Sequence, residues 1–174
     1  NLKFIMKKII LLLIVMSIAF SGCEKDDICD ENTGTTPRLI IEFYDFTNPT
    51  LTKNVTNLAI IGYGQTEPYV VYNGVSKIQV PLDIAEDLTQ YQFILNYGNT
   101  NPAFVDPDNL QFNYTRENVY VSRACGYKTV FTLDATTPFV HTDDAADDGL
   151  WMKNITVLQS DILTENETHF KISL

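Results

Sequence analysis

The feature that most constrains this chain is a period of two. Between Thr89 and Tyr97, the residues Tyr91, Phe93, Leu95 and Tyr97 fall on one side of an extended backbone. Gln90, Gln92, Ile94 and Asn96 fall on the other. Side chains on a strand alternate between two faces, so this pattern describes a strand with one buried face, interrupted only by Ile94 on the polar side. Leu110, Phe112 and Tyr114 alternate in the same way with Gln111, Asn113 and Thr115. Further strands are expected over Arg38 to Phe46, Val55 to Tyr63, Tyr69 to Tyr72, Lys77 to Leu82, Val119 to Arg123, Tyr127 to Leu133, Trp151 to Leu158 and His169 to Leu174. Asn73-Gly74 is a strong turn signal, so the two short strands around it are expected to pair as a hairpin. The last two strands are expected to form a terminal hairpin across Thr164 to Glu167. No convincing helix competes, because Ile84 to Leu88 is too short. Nine or so strands at spacings of about ten to fifteen residues predict an all-β fold. The expected form is an antiparallel β-sandwich, immunoglobulin-like in broad architecture, with a β-barrel as the alternative.

Ahead of this body lies a different kind of sequence. Lys7 and Lys8 follow Met6, which reads as the initiator. Ile9 to Phe20 is apolar except for Ser17. A helix needs about 20 apolar residues to span a bilayer core, and this run has the shorter length of a signal-peptide core. It ends in Phe20-Ser21-Gly22-Cys23. Small residues before a cysteine, with a bulky apolar residue three before it, resemble a bacterial lipobox. Residues 1–22 are therefore expected to be an export signal, and Cys23 the lipid-bearing N-terminus. Residues 23–37 form a lipidated, acidic linker, and residues 38–174 a single domain. One acyl chain binds membranes only marginally, and a lipoprotein cysteine carrying three is a lasting tether.

Twenty-two acidic residues follow Cys23 against nine basic ones, a formal charge of −13 for the expected mature chain. Nucleic-acid binding needs Lys and Arg to neutralise phosphates, so this surface argues against it. It argues equally against binding anionic lipid headgroups through net charge. Directly after Cys23, Lys25, Asp26 and Asp27 resemble a short acidic signal for display on the outer face of the outer membrane. The alternative is a solvated charged spacer.

Lipidation would consume Cys23 and leave Cys29 and Cys125 in an oxidising compartment. Their simplest fate is a disulfide. Closing a loop of about a hundred residues is worth roughly 4–5 kcal/mol in the chain-entropy model. The other possibility is a reactive thiol at Cys125, although no CxxC motif is present and neither histidine is near it in sequence.

Five segments carry a family likeness: CEKDDICDE (Cys23 to Glu31), TPRLIIEFYD (Thr36 to Asp45), YQFILNYGNTNP (Tyr91 to Pro102), FNYTRENVYVSRACGYKTVFTLDA (Phe112 to Ala135) and DGLWMKNITV (Asp148 to Val157). Together they resemble an uncharacterised, domain-of-unknown-function family of Bacteroidota lipoproteins. The most specific stretch is Arg123 to Tyr127. The resemblance implies source and location and brings no activity with it. It also favours a structural pairing of Cys29 with Cys125, since both lie inside resembling segments.

Chemistry-bearing motifs are sparse. His141 and His169 are the only histidines, and neither has a zinc-like neighbour. Asp143, Asp144, Asp147 and Asp148, followed by Gly149, could bind calcium, but they lack the spacing of an EF-hand loop and read more simply as a solvated turn. There is no Gly-x-Ser-x-Gly, no phosphate-binding glycine loop, and no serine beside a histidine. Tyr69, Tyr72, Tyr97, Tyr114 and Trp151 could build a sugar-binding platform, although strand aromatics, Trp151 above all, more often fill a core. The expected protein is a lipid-anchored outer-membrane lipoprotein without a cofactor, acting as a non-enzymatic binding or assembly module for an envelope protein or a glycan. A hydrolase of envelope polymers and a calcium-stabilised adhesin-like domain are the alternatives.

Overall fold

The computed structural model describes residues 6–8, 28–30, 33–144 and 149–174. Eleven strands run through these residues: β1 (Leu39–Tyr44), β2 (Leu58–Gly62), β3 (Val70–Tyr72), β4 (Lys77–Val80), β5 (Leu88–Leu95), β6 (Asp106–Ser122), β7 (Gly126–Leu133), β8 (Phe139–Asp143), β9 (Asn154–Val157), β10 (Asp161–Ile162) and β11 (Phe170–Ser173). They form a four-stranded sheet, ordered β4-β1-β11-β9, and a seven-stranded sheet, ordered β10-β7-β6-β5-β2-β3 with β8 also on β6. The two sheets pack together and do not close into a barrel, so the fold is an all-β sandwich. Among the described residues no helix is long and apolar enough to cross a membrane.

The chain divides into two compact units. The larger holds Gly34–Val119 and Lys128–Leu174. Its core is aromatic: Phe43, Phe93, Phe112, Phe131 and Phe170 are fully buried. Phe170 receives two edge-to-face rings, Phe112 at 5.2 Å and Phe139 at 5.8 Å. Such pairs contribute about 0.5–1.5 kcal/mol each beyond their buried area. Trp151 is buried against Phe43 and donates its indole N–H to the Phe93 carbonyl.

One strand pair is parallel. β1 and β11 run side by side with Ile41 opposite Phe170, whereas β1 meets β4 antiparallel and β11 meets β9 antiparallel. Parallel neighbours need a long crossover, and here nearly the whole sandwich lies between them in sequence. The two strands expected to form the terminal hairpin, β9 and β11, do pair antiparallel, but not as a simple hairpin. Their connection visits the other sheet, where β10 pairs with β7 and fully buries Ile162.

The expected hairpin across Asn73-Gly74 does not form. β3 pairs with β2 in the large sheet, and β4 pairs with β1 in the small one. Gly74 does supply the positive φ (70°) that the turn signal implies. The turn is captured by a third segment, however. Val55 N–H donates to the Val75 carbonyl, Gly74 N–H donates to the Val55 carbonyl, and Asn57 N–H donates to the Asn73 side chain. These bonds split the two strands between the sheets.

β6 runs continuously where two strands were expected. Residues 106–113 pair with β5 on one edge, while β8 pairs with 108–112 and β7 also adjoins β6. The break between β7 and β8 is gathered by Asn113, whose N–H reaches the Pro138 carbonyl, whose side chain reaches Thr137 O, and whose carbonyl accepts from Asp134 N. Asp134 Oδ1 accepts from the amides of Thr136 and Thr137, and these hold its carboxyl below the usual carboxylate range.

The interruption at Ile94 has a local cause. Ile94 packs with Ala59 and Ile61 in a second, smaller apolar cluster, against which Tyr97 and Val105 lie. Asn96, at φ 56°, turns the chain, and its side chain donates to Phe104 O, so the Asn96–Val105 loop folds over this patch.

The smaller unit contains Tyr120–Tyr127 and the N-terminal residues to Thr33. Its described part is organised by a Cys29–Cys125 disulfide, the pairing that the cysteine arithmetic predicts. Ser122 Oγ accepts from the Cys125 amide, and Gly126 takes φ 69° to close the β6–β7 turn.

Candidate functional site

One recess among the described residues lies in the larger unit, where the end of β2, the loop after β4 and the start of β5 converge. It is a groove of about 430 Å³. Its floor is Leu82, Thr89 and Tyr91, all nearly buried. Its rim carries Tyr63, 78% exposed, and Leu88, 46% exposed, with Gln65, Gln90, Asp83 and Glu86 between them. Tyr63 is presented by a tight turn: Gln65 N–H returns to the Gly62 carbonyl, and Gly64 takes φ 74°.

The loop forming one wall is fixed by a closed hydrogen-bond circuit. Asp83 N–H donates to Thr89 Oγ1, Tyr114 OH donates to the Asp83 carbonyl, and Thr89 Oγ1 lies 2.6 Å from Tyr114 OH. Tyr114 has a single hydroxyl proton, spent on Asp83, so Thr89 must be the donor to it. Tyr91 OH donates to the Pro81 carbonyl. Burial pushes the Tyr91 phenol up to about 12 and raises that of Tyr114, so both keep their donor protons at neutral pH. From the far side Arg116 grips the same loop, binding Asp87 at 2.6 Å and the Ile84 carbonyl at 2.6 Å. A preorganised wall spends little ordering entropy when something binds.

An exposed ring, two carboxamides and two carboxylates with no lysine or arginine in the lining suit a neutral or cationic polyhydroxyl ligand, and repel anions. Sequence reasoning does not single out Tyr63. The available signal is the pair of glycines at 62 and 64. Of the aromatics it does name, Tyr114 and Trp151 are buried. Tyr72 is half-buried, with its hydroxyl on Gln79 O, and Tyr97 covers the outer cluster. Tyr69 is exposed and does not line the groove.

The histidines lie elsewhere. His141 Nε2 is 2.8 Å from Oδ2 of Asp108, a carboxylate with no exposed surface. The same oxygen accepts from Met152 N–H, and Oδ1 is buried with no hydrogen-bond partner among the described residues. His169 is buried, and its Nδ1 accepts from the Ile40 amide while its own N–H donates to the Ile40 carbonyl. Asp143 accepts from the amides of Asp144 and Gly149, so its carboxylate already ties both ends of the acidic turn. Asp147 and Asp148 lie outside the described residues, as do Cys23, Lys25, Asp26 and Asp27. No group of three or more metal-ligating side chains occurs among the described residues.

Compared with known proteins, residues 57–174 match the model of a family of unknown function, DUF6452. No curated protein matches. No solved structure matches.

Proposed function

The chain belongs to this family of unknown function, and we propose that it is a lipid-anchored outer-membrane lipoprotein that binds envelope glycan without chemical turnover. The observation that carries the binding role is the groove beneath Tyr63, with its exposed ring, its acceptor-rich rim and its fixed wall. The lipobox-like Phe20 to Cys23, the Lys25-Asp26-Asp27 run and the likeness to Bacteroidota lipoproteins support the anchor, the destination at the outer membrane and display toward the exterior. The acidic mature chain supports a ligand that is not a nucleic acid.

Calorimetric titration of the mature protein with neutral envelope oligosaccharides tests the binding role. A Tyr63→Ala variant is expected to weaken affinity by about tenfold or more, the loss of one stacked ring. Oligosaccharides that bind wild type and Tyr63→Ala alike would remove the groove from the reading. Capture of an envelope protein in place of any glycan would reassign the ligand. Mass measurement of the N-terminal peptide tests the anchor: a diacylglyceryl-cysteine at Cys23 is expected, and an unmodified thiol contradicts it.

A further inference from the structure

We propose that the β6–β7 turn is the membrane-contacting element of this protein, held at the lipid headgroup layer by the Cys29–Cys125 bridge. The inference rests on the lipid-anchor reading above and adds to it the part of the domain that meets the bilayer. The exposed rings and the bridge lie in the smaller unit. Tyr120 and Tyr127 face each other across the turn, with ring centroids 5.4 Å apart in an edge-on arrangement. They are 59% and 69% exposed, and Ile28, next to the bridged Cys29, is 82% exposed. Two exposed tyrosines on the turn and an exposed isoleucine next to its bridged cysteine put apolar surface on both arms of one disulfide, a costly display in water. Tyrosine rings are suited to the headgroup level of a bilayer, where one end of the ring is wet and the other apolar.

Chain length points to the same occupant. Six residues separate Cys23 from Cys29, a reach of at most about 20 Å for a fully extended chain. Thr36, whose hydroxyl accepts from Thr129 N–H, is a later tie between linker and domain, thirteen residues from Cys23. That leash would be about 45 Å. The bridge therefore halves the distance the turn can stray from the lipid.

The test uses the lipidated protein reconstituted in phosphatidylcholine vesicles doped with headgroup-nitroxide phosphatidylcholine. Tyr120→Trp and Tyr63→Trp variants report proximity by fluorescence quenching, over the common background of buried Trp151. Tyr120→Trp is expected to be quenched about twofold more strongly than Tyr63→Trp, because an interfacial ring sits at the depth of the quencher. In a Cys29→Ser/Cys125→Ser background the excess is expected to vanish. Equal quenching at both positions in a protein shown by mass to carry the lipid overturns this inference and leaves the anchor reading standing. Excess quenching that persists without the bridge also overturns it. An unlipidated Cys23 overturns both together.

Discussion

His141 and His169 are both withdrawn from solvent, and they are satisfied in opposite ways. His141, on β8, faces a carboxylate: Asp108 on the neighbouring strand β6 presents Oδ2 to its Nε2 and to the Met152 amide at once. His169, just before β11, faces only backbone. Its Nδ1 accepts from Ile40, and burial lowers its pKa below the ordinary histidine value, with Glu167 and Glu165 opposing that weakly. The first site is a side-chain pair in which one buried carboxylate oxygen serves two groups. The second is a neutral imidazole used as a hydrogen-bond acceptor, with its proton on Nε2. The same residue type thus serves as one half of a polar pair in one sheet and as a strand-end clamp in the other.

The pair is the more fragile arrangement. Asp108→Ala would strand the His141 imidazole and the Met152 N–H in a dry environment. Each buried group left without its hydrogen-bond partner costs about 1–3 kcal/mol, and this change strands two. Urea denaturation is expected to show a larger loss for this change than for any substitution at His169 or Arg38. Asp108→Asn should lose less than Asp108→Ala, because its carbonyl can still accept from Met152. If Asp108→Ala falls within about 1 kcal/mol of wild type, the pair is not a structural element of the sandwich.

That contrast also marks where the sequence can be read. The alternating strands are legible because large apolar residues occupy most inward positions, as at Tyr91, Phe93, Leu110, Phe112 and Tyr114. β8 escapes the pattern because its partly covered positions are Phe139, His141 and Asp143, and two of those three look polar in any pattern count. β6 reads as two strands because Arg116, Glu117 and Asn118 interrupt the apolar rhythm, although the strand runs on through them. The strands around Asn73-Gly74 are legible but their partners are not, since Val55 decides the pairing from outside the local sequence. The disulfide follows from counting cysteines. The groove does not follow from anything local: Tyr63, Asp83 and Gln90 belong to three separate segments, joined by the hydrogen-bond circuit through Thr89 and Tyr114 and by the Tyr63 N–H bond to the Gln90 carbonyl.

The clamp at His169 should yield less than the pair. His169→Phe keeps a ring and removes the acceptor, leaving the buried Ile40 amide unsatisfied at a cost of about 1–3 kcal/mol. His169→Asn places a carbonyl oxygen near the former Nδ1 position, and it is expected to recover part of that loss. Equal stability of the Phe and Asn variants in thermal melts would show that the Ile40 hydrogen bond contributes little.

The comparison sharpens further with pH. An unfolded histidine titrates near 6.5, and His169 in the folded chain titrates below that. Between those two values the unfolded state binds more protons, so stability rises with pH there. The contribution is complete above about pH 6.5 and is lost as pH falls through that value toward the folded pKa. Wild-type stability is therefore expected to decline from neutral pH before the carboxylates begin to protonate. Replacing His169 with Asn is expected to flatten that decline, as followed by chemical denaturation at a series of pH values. An unchanged slope would mean that His169 charges as readily in the folded state as in the unfolded one.

The smallest effect is expected beside the same clamp. Arg38 binds Glu165 through two guanidinium contacts of 2.7 and 2.8 Å, and the Arg38 amide donates to it as well. These contacts, the Arg38 side chain first, hold the Glu165 carboxyl below its usual range. The pair is largely exposed, and solvent-screened ion pairs are worth less than about 1 kcal/mol. Arg38→Ala should therefore cost only a few tenths of a kcal/mol to about 1 kcal/mol, and the loss should shrink in high salt. It should also leave Glu165 uncompensated beside His169, favouring the charged imidazole and narrowing the gap between its folded and unfolded pKa. The denaturation slope between neutral and mildly acidic pH should then be shallower in Arg38→Ala than in wild type, though steeper than in His169→Asn. A loss approaching that of Asp108→Ala would instead mean that the strand-end clamp depends on its side-chain pair as much as the other site depends on Asp108, and the distinction between the two histidine sites would collapse.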